Sequence, residues 1–143
     1  DNEEYAESVA NLAKGYSVKI FHDASFNMLQ QYYAHASIYW HAAGFGIDQV
    51  QFPTKVEHFG ISAVEAMASG AVPIVVNKGG LPEIVEHGVN GFLCETEDDF
   101  IGYTRKMIEN IQLAKKLRTA ARQRAGWFSK KRFDETLKEM VCG

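Results

Sequence analysis

Residues 57–83 read Glu-His-Phe-Gly-Ile-Ser-Ala-Val-Glu-Ala-Met-Ala-Ser-Gly-Ala-Val-Pro-Ile-Val-Val-Asn-Lys-Gly-Gly-Leu-Pro-Glu, a loop, a helix, a strand and a glycine turn in succession. Gly60 frees the backbone just before a run of good helix formers, and Gly70 with Pro73 close behind supplies the stop. The strand, residues 72–76, follows at once and carries no polar side chain. Such a run suits a parallel strand covered on both faces. Gly79 and Gly80 then lie beyond its carboxyl end, where open α/β sheets bind ligands.

Two carboxylates give this stretch a functional reading. Glu57 sits in the loop before the helix, and Glu65 lies about one turn inside it, beside Ile61, Val64 and Ala68. A glutamate on the packed side of an apolar helix needs a hydrogen-bonding partner in the site. The bland alternative is a solvent-facing Glu65 and an ordinary acidic Glu57. The amides of Phe59, Gly60 and Ile61 lie near the helix start, unpaired within the helix and at the positive end of its dipole. Such a start favours phosphate or polar sugar oxygens.

The flanking sequence continues the alternation. Residues 3–14 have helical spacing at Tyr5, Val9, Leu12 and Ala13, stopped by Gly15, and residues 18–21 read as a short strand. One of residues 23–25 caps a helix to about His35, with Met28, Leu29 and the core-type pair Tyr32 and Tyr33 available for packing. Ile38–His41 is the next strand, and Gly44 and Gly46 after it suggest a flexible loop over the crevice with Asp48 solvated. Residues 47–56 read as loop. Residues 81–86 fit a short helix with proline in its first turn, residues 87–91 a turn, and Phe92–Cys94 a last strand. Three helices finish the chain, over residues 97–109, 112–125 and 130–141, with Trp127 and Phe128 anchoring the last two to the core. This order predicts an α/β fold with a Rossmann-like doubly wound parallel sheet and carboxyl-terminal helices.

With 143 residues the chain is one domain by size, residues 1–143, and its apolar content allows a sizeable core. Its longest apolar runs fall far short of a membrane span, and Asp-Asn-Glu-Glu is the opposite of a signal peptide's basic start. Cys94 and Cys142 are too few and too far apart for a zinc site or a redox pair, so they read as reduced thiols of a cytoplasmic protein. The net charge of −3 hides an asymmetry: eight basic residues and no acidic one lie between Asn110 and Phe133, leaving seven basic against all 18 acidic residues elsewhere. That run is a solvated helix face or a patch for an anionic membrane surface or a partner domain, which would put the protein at the membrane periphery. No base-reading or aromatic-interleaved motif accompanies it, so nucleic acid is not expected. His41 and His58 lie near the site, as ligand contacts or as loop histidines satisfied by backbone. Neither they nor the carboxylates have metal-ligand spacing, so no metal or other cofactor is expected.

Glu57 and Glu65 bracket Phe-Gly, an arrangement written as an EX7E motif. They are followed by Glu-Ala-Met-Ala-Ser-Gly, the apolar strand with Pro73, Gly79-Gly80, and Gly-Val-Asn-Gly at 88–91. The set resembles the carboxyl-terminal nucleotide-sugar-binding domain of retaining glycosyltransferases of the GT-B fold, family-4 or group 1 type. The resemblance covers nearly all of the chain but begins late. It implies that the domain's opening strand, helix and strand, with their basic diphosphate contacts, are absent, as is an amino-terminal acceptor domain. The chain is then expected to be a piece of a longer enzyme, with residues 18–21 forced to re-pair, lose their neighbours, or swap in a dimer.

Carried over by position, the resemblance implies that Glu57 stands at the donor sugar near the reacting carbon and that Glu65 binds the ribose hydroxyls. Phe59, Gly60 and Ile61 present amides to sugar hydroxyls or the distal phosphate, Gly79 and Gly80 shape the floor, and Phe21 and His22 flank the nucleobase. The implied reaction moves a sugar from a UDP- or GDP-type donor to an acceptor hydroxyl with retention. A module that binds a nucleotide or a partner chain without catalysis is the alternative. A nucleotide-sugar epimerase of the same fold would need another acid set.

Overall fold

The computed structural model describes residues 2–142. In chain order these form α1 (Asn2–Leu12), α2 (Phe26–His35), β1 (Ile38–His41), a 3-10 turn (Pro53–Lys55), α3 (Ile61–Ser69), β2 (Val72–Val76), α4 (Leu81–Ile84), β3 (Phe92–Cys94), α5 (Glu97–Glu109), α6 (Ile111–Ala125), a second 3-10 turn (Gly126–Phe128) and α7 (Lys130–Cys142). The strands make one parallel sheet in the order β1-β2-β3, with Ile38 beside Val72 and Ile74 beside Phe92. All five residues of β2 are buried. Successive side chains leave a strand on opposite faces, so both faces of β2 are covered, with α3, α5 and α6 packed on it. This is the α/β, Rossmann-like arrangement expected from the alternation of elements.

The core centres on Ala63 and Met67 of α3, the strand β2, Leu81 and Ile84 of α4, Phe92, and Leu117, Ala121 and Ala125 of α6. Pro73 lacks an N–H, yet it lies at the end of β2 that faces only β1, because pairing with β3 begins at Ile74. Helix starts follow their capping residues. Ser25 accepts the Met28 amide, Thr96 and Asp99 form a reciprocal capping box on α5, and Asn110 accepts the Leu113 amide on α6.

Several expectations change. Residues 18–21 are not a strand: they run outside the sheet with Val18, Ile20 and Phe21 exposed, since no described residue pairs with them. No described residue before Val56 is buried, so α1 and α2 add little to the core. Tyr32 is therefore not a core residue; it is exposed and its ring lies against Phe21. Phe128 does pack on the core, whereas Trp127 is exposed, with the Arg132 guanidinium over its ring.

The basic run does not form one open face. Arg118 and Arg122 donate to the carbonyls of Gly70 and Ser69, and Arg124 donates to those of Ile84 and Glu83. These carbonyls end α3 and α4, where a helix leaves acceptors unpaired and its dipole favours a cation. Lys130 and Lys131 face Asp134 and Glu135, and Arg132 also faces Glu135. Cys94 is buried, and desolvation pushes its thiol up to about 12; the Cys142 side chain lies outside those described. Among the described residues no helix is long and apolar enough to cross a membrane.

Candidate functional site

The candidate site lies where β1 ends, the loop carrying Glu57 begins and α3 starts. Gly60 caps α3 at φ 83°, a left-handed backbone that glycine adopts without strain. Glycine has no capping side chain, and no side chain caps α3; Glu57 instead ties the turn just before the helix. Its Oε1 accepts the amides of Phe59 at 3.2 Å and Gly60 at 3.0 Å. Two of the three amides expected to face a ligand are thus occupied by the protein's own carboxylate. Among the described residues no protein acceptor meets the amides of Ile61 and Ser62, which become the open donors at this helix start. The Gly60 amide first, then that of Phe59, holds the Glu57 carboxyl below its ordinary range, with His41 adding to the effect.

The loop under Glu57 rests directly on Gly79 and Gly80. A Cβ on Gly79 would stand 2.0 Å from the Glu57 carbonyl oxygen, and one on Gly80 at the same distance from that of His58. The Gly80 amide donates to the Glu57 carbonyl at 2.9 Å. These glycines therefore admit the backbone that carries Glu57. The loop after β1 is tied to the same turn: the Gly79 amide donates to Gln49 Oε1 at 3.0 Å and Lys78 Nζ to the Ile47 carbonyl. Asp48 accepts the amides of Val50 and Gln51 and so folds this loop, a role beyond the plain solvation expected of it.

Glu57 and Glu65 are linked through an element whose part was not foreseen, by way of His41, Tyr39 and Tyr33. Tyr39 and His41 point to the same face of β1 because they are two residues apart. The Tyr39 hydroxyl is 3.1 Å from His41 Nδ1 and 2.8 Å from Ser62 Oγ. Burial raises its pKa first, and the charges of Glu57 and Glu65 raise it further. Tyr33 lies edge-on to Tyr39 with ring centroids 6.0 Å apart. Burial, then Tyr39 and Glu65, push Tyr33 up to about 12. His41 Nε2 completes the group at 3.6 Å from Glu57 Oε2.

Glu65 itself is half-buried in a groove with Phe26, Gln30 and Tyr33. The period-two pairing of Tyr39 with His41 was the signal in the sequence that could have found this wall. His58 is exposed. Phe21 and His22 line a separate open groove with Glu3 and Asp23, and no contact among the described residues brings them to Glu57.

The family model described as Glycosyl transferases group 1 matches residues 1–124. The chain is 39% identical over 92 residues to an alpha-1,3/1,6-mannosyltransferase of Dictyostelium discoideum, covering 63% of this chain and 22% of that protein. It is 32% identical over 97 residues to the D-inositol 3-phosphate glycosyltransferase of Jonesia denitrificans, covering 66% and 22%. It thus spans less than a quarter of either relative's length. Among solved structures, Anabaena Alr3699/HepE in complex with UDP-glucose is similar with a TM-score of 0.71 at 25% identity, over 96% of this chain and 36% of that one. The carboxyl-terminal domain of a group 1 glycosyl transferase (LpcC) from Francisella tularensis shares the fold, with a TM-score of 0.66 at 21% identity over 86% and 61%.

Proposed function

The chain belongs to the group 1 glycosyl transferases, and from that membership we propose that it forms the donor-binding part of a retaining glycosyltransferase acting on a UDP- or GDP-sugar. The observation that carries the reading is the run of side chains from Glu57 through His41 and Tyr39 to Tyr33, which lines the Glu65 groove, beside the open amides of α3. One cleft wall then offers negative charge for a sugar ring and donors for a diphosphate. The Anabaena neighbour's complex with UDP-glucose supports a nucleotide sugar as ligand.

In this reading Glu57 stands beneath the reacting carbon. As the bond to the diphosphate breaks, positive charge grows on the sugar ring and negative charge on the leaving oxygen. The Glu57 carboxylate, kept ionised by its two amides, stabilises the ring. The amides of Ile61 and Ser62 and the positive end of α3 stabilise the departing phosphate. Glu65 takes the ribose hydroxyls. Fixed geometry and local charge do this work without a strong base.

Titration with UDP, GDP and their sugars tests the proposal, followed by donor hydrolysis and transfer assays on the full reading frame. Glu57→Ala is expected to lower turnover by about 10²- to 10³-fold while nucleotide still binds. Binding with no turnover by the unaltered protein would instead favour a non-catalytic nucleotide-binding module. The absence of binding by any nucleotide would overturn both readings.

A further inference from the structure

The two oxygens of Glu57 have different surroundings. Oε1 is filled by two amides, while Oε2 faces His41 Nε2 at 3.6 Å, just beyond hydrogen-bond reach. That nitrogen is a buried side-chain atom without a hydrogen-bond partner, a costly state for a polar group. The carboxylate is the acceptor it faces. On the other side of the ring, Nδ1 meets the Tyr39 hydroxyl at 3.1 Å, and that hydroxyl meets Ser62 Oγ at 2.8 Å.

Hydroxyl protons rotate, so the chain of contacts has two arrangements. If Ser62 donates to Tyr39 and Tyr39 donates to Nδ1, the neutral ring carries its proton on Nε2, aimed at Oε2. If Tyr39 donates to Ser62, Nδ1 must carry a proton, and Nε2 needs a second one to avoid setting its lone pair against the carboxylate. Both acceptable arrangements put a hydrogen between Nε2 and Oε2.

We propose that His41 is a positioning residue for Glu57, itself oriented by Tyr39 and Ser62, and that it holds Oε2 beneath the donor sugar while the amides hold Oε1. This rests on the transferase reading above. The titratable groups around the contact are His41 and Tyr39 on β1, Tyr33 on α2 edge-on to Tyr39, His58 next in the loop and Glu65 on α3. Lys78, in the turn under the loop, is directed to the Ile47 carbonyl.

The test compares the full-length protein with His41→Leu, His41→Gln and Tyr39→Phe, using donor kinetics and carboxyl NMR titration of Glu57. In His41→Leu, kcat is expected to fall about ten- to a hundredfold with donor KM within about twofold, the size of one hydrogen bond to a charged group. His41→Gln returns an N–H near the Nε2 position and should regain most of the rate; Tyr39→Phe should fall between them. The Glu57 titration should move up in His41→Leu and less far in His41→Gln, which restores the N–H but not the charge of the ring. An unchanged rate and titration in His41→Leu would overturn the proposal. So would an equal loss in the leucine and glutamine variants, which would leave His41 a packing role. If the unaltered protein transfers no sugar, the transferase reading falls, and the Glu57 titration alone decides whether His41 holds it.

Discussion

At Gly80 an added methyl would meet a backbone oxygen, which has no flexible end to swing aside. Gly80→Ala is therefore expected to cost about 1–3 kcal/mol in urea unfolding and to loosen the loop that carries Glu57. Gly60→Ala adds strain of the same order, because φ is 83° and the new Cβ would lie 2.9 Å from Leu81 Cδ2. Glu57 has a separate signature in pH. Its folded-state pKa is depressed, so its contribution to stability is present above the ordinary value of 4.5 and is lost as pH falls through the lower folded value. Glu57→Gln should flatten that acid limb, read as urea midpoints on either side of pH 4.5. A limb as steep as that of the unaltered protein would count against the two amide bonds. Glu57 and Glu65 were legible as candidates because glutamates stand out in an apolar stretch. Tyr39 and Ser62 were not, because a tyrosine in a short strand and a serine in a first helical turn read as packing and solvation until the strand is docked beside the helix.

Among the elements, α3, β2 and β3 could be read from residues that define their own ends and faces: Gly60, Gly70 and the unbroken apolar run of β2. The expected strand at 18–21 had the right composition but no partner, and a strand without a ladder leaves its backbone to water. The part played by the arginines of α6 was hidden for a different reason. Charge counts cannot show that Arg118 and Arg122 reach back to the end of α3, since their acceptors lie 48 and 53 residues away in sequence. Arg118→Ala should destabilise the protein by about 1–2 kcal/mol, seen in the urea midpoint, because it removes a charged donor from the last carbonyls of α3. Arg118→Ala with Arg122→Ala should cost less than the sum of the two, as neighbouring caps on one helix end are coupled.

Over the described residues, burial is uneven: from Val56 onward a packed core surrounds β2, whereas no described side chain of α1 or α2 is buried. Amide hydrogen exchange should follow that division, with fast exchange through α1 and α2 and the slowest amides in β2 and the central turns of α6. Equal protection in α1 and β2 would contradict the burial pattern. The position of Cys94 gives a second way to watch the same fluctuations. A thiol sealed beside the central strand, with almost no thiolate at neutral pH, cannot react with an alkylating reagent until the sheet parts around it. The labelling half-time of the peptide containing Cys94 is thus a built-in stopwatch for opening. Saturating nucleotide sugar should lengthen that half-time if the ligand clamps the closed form.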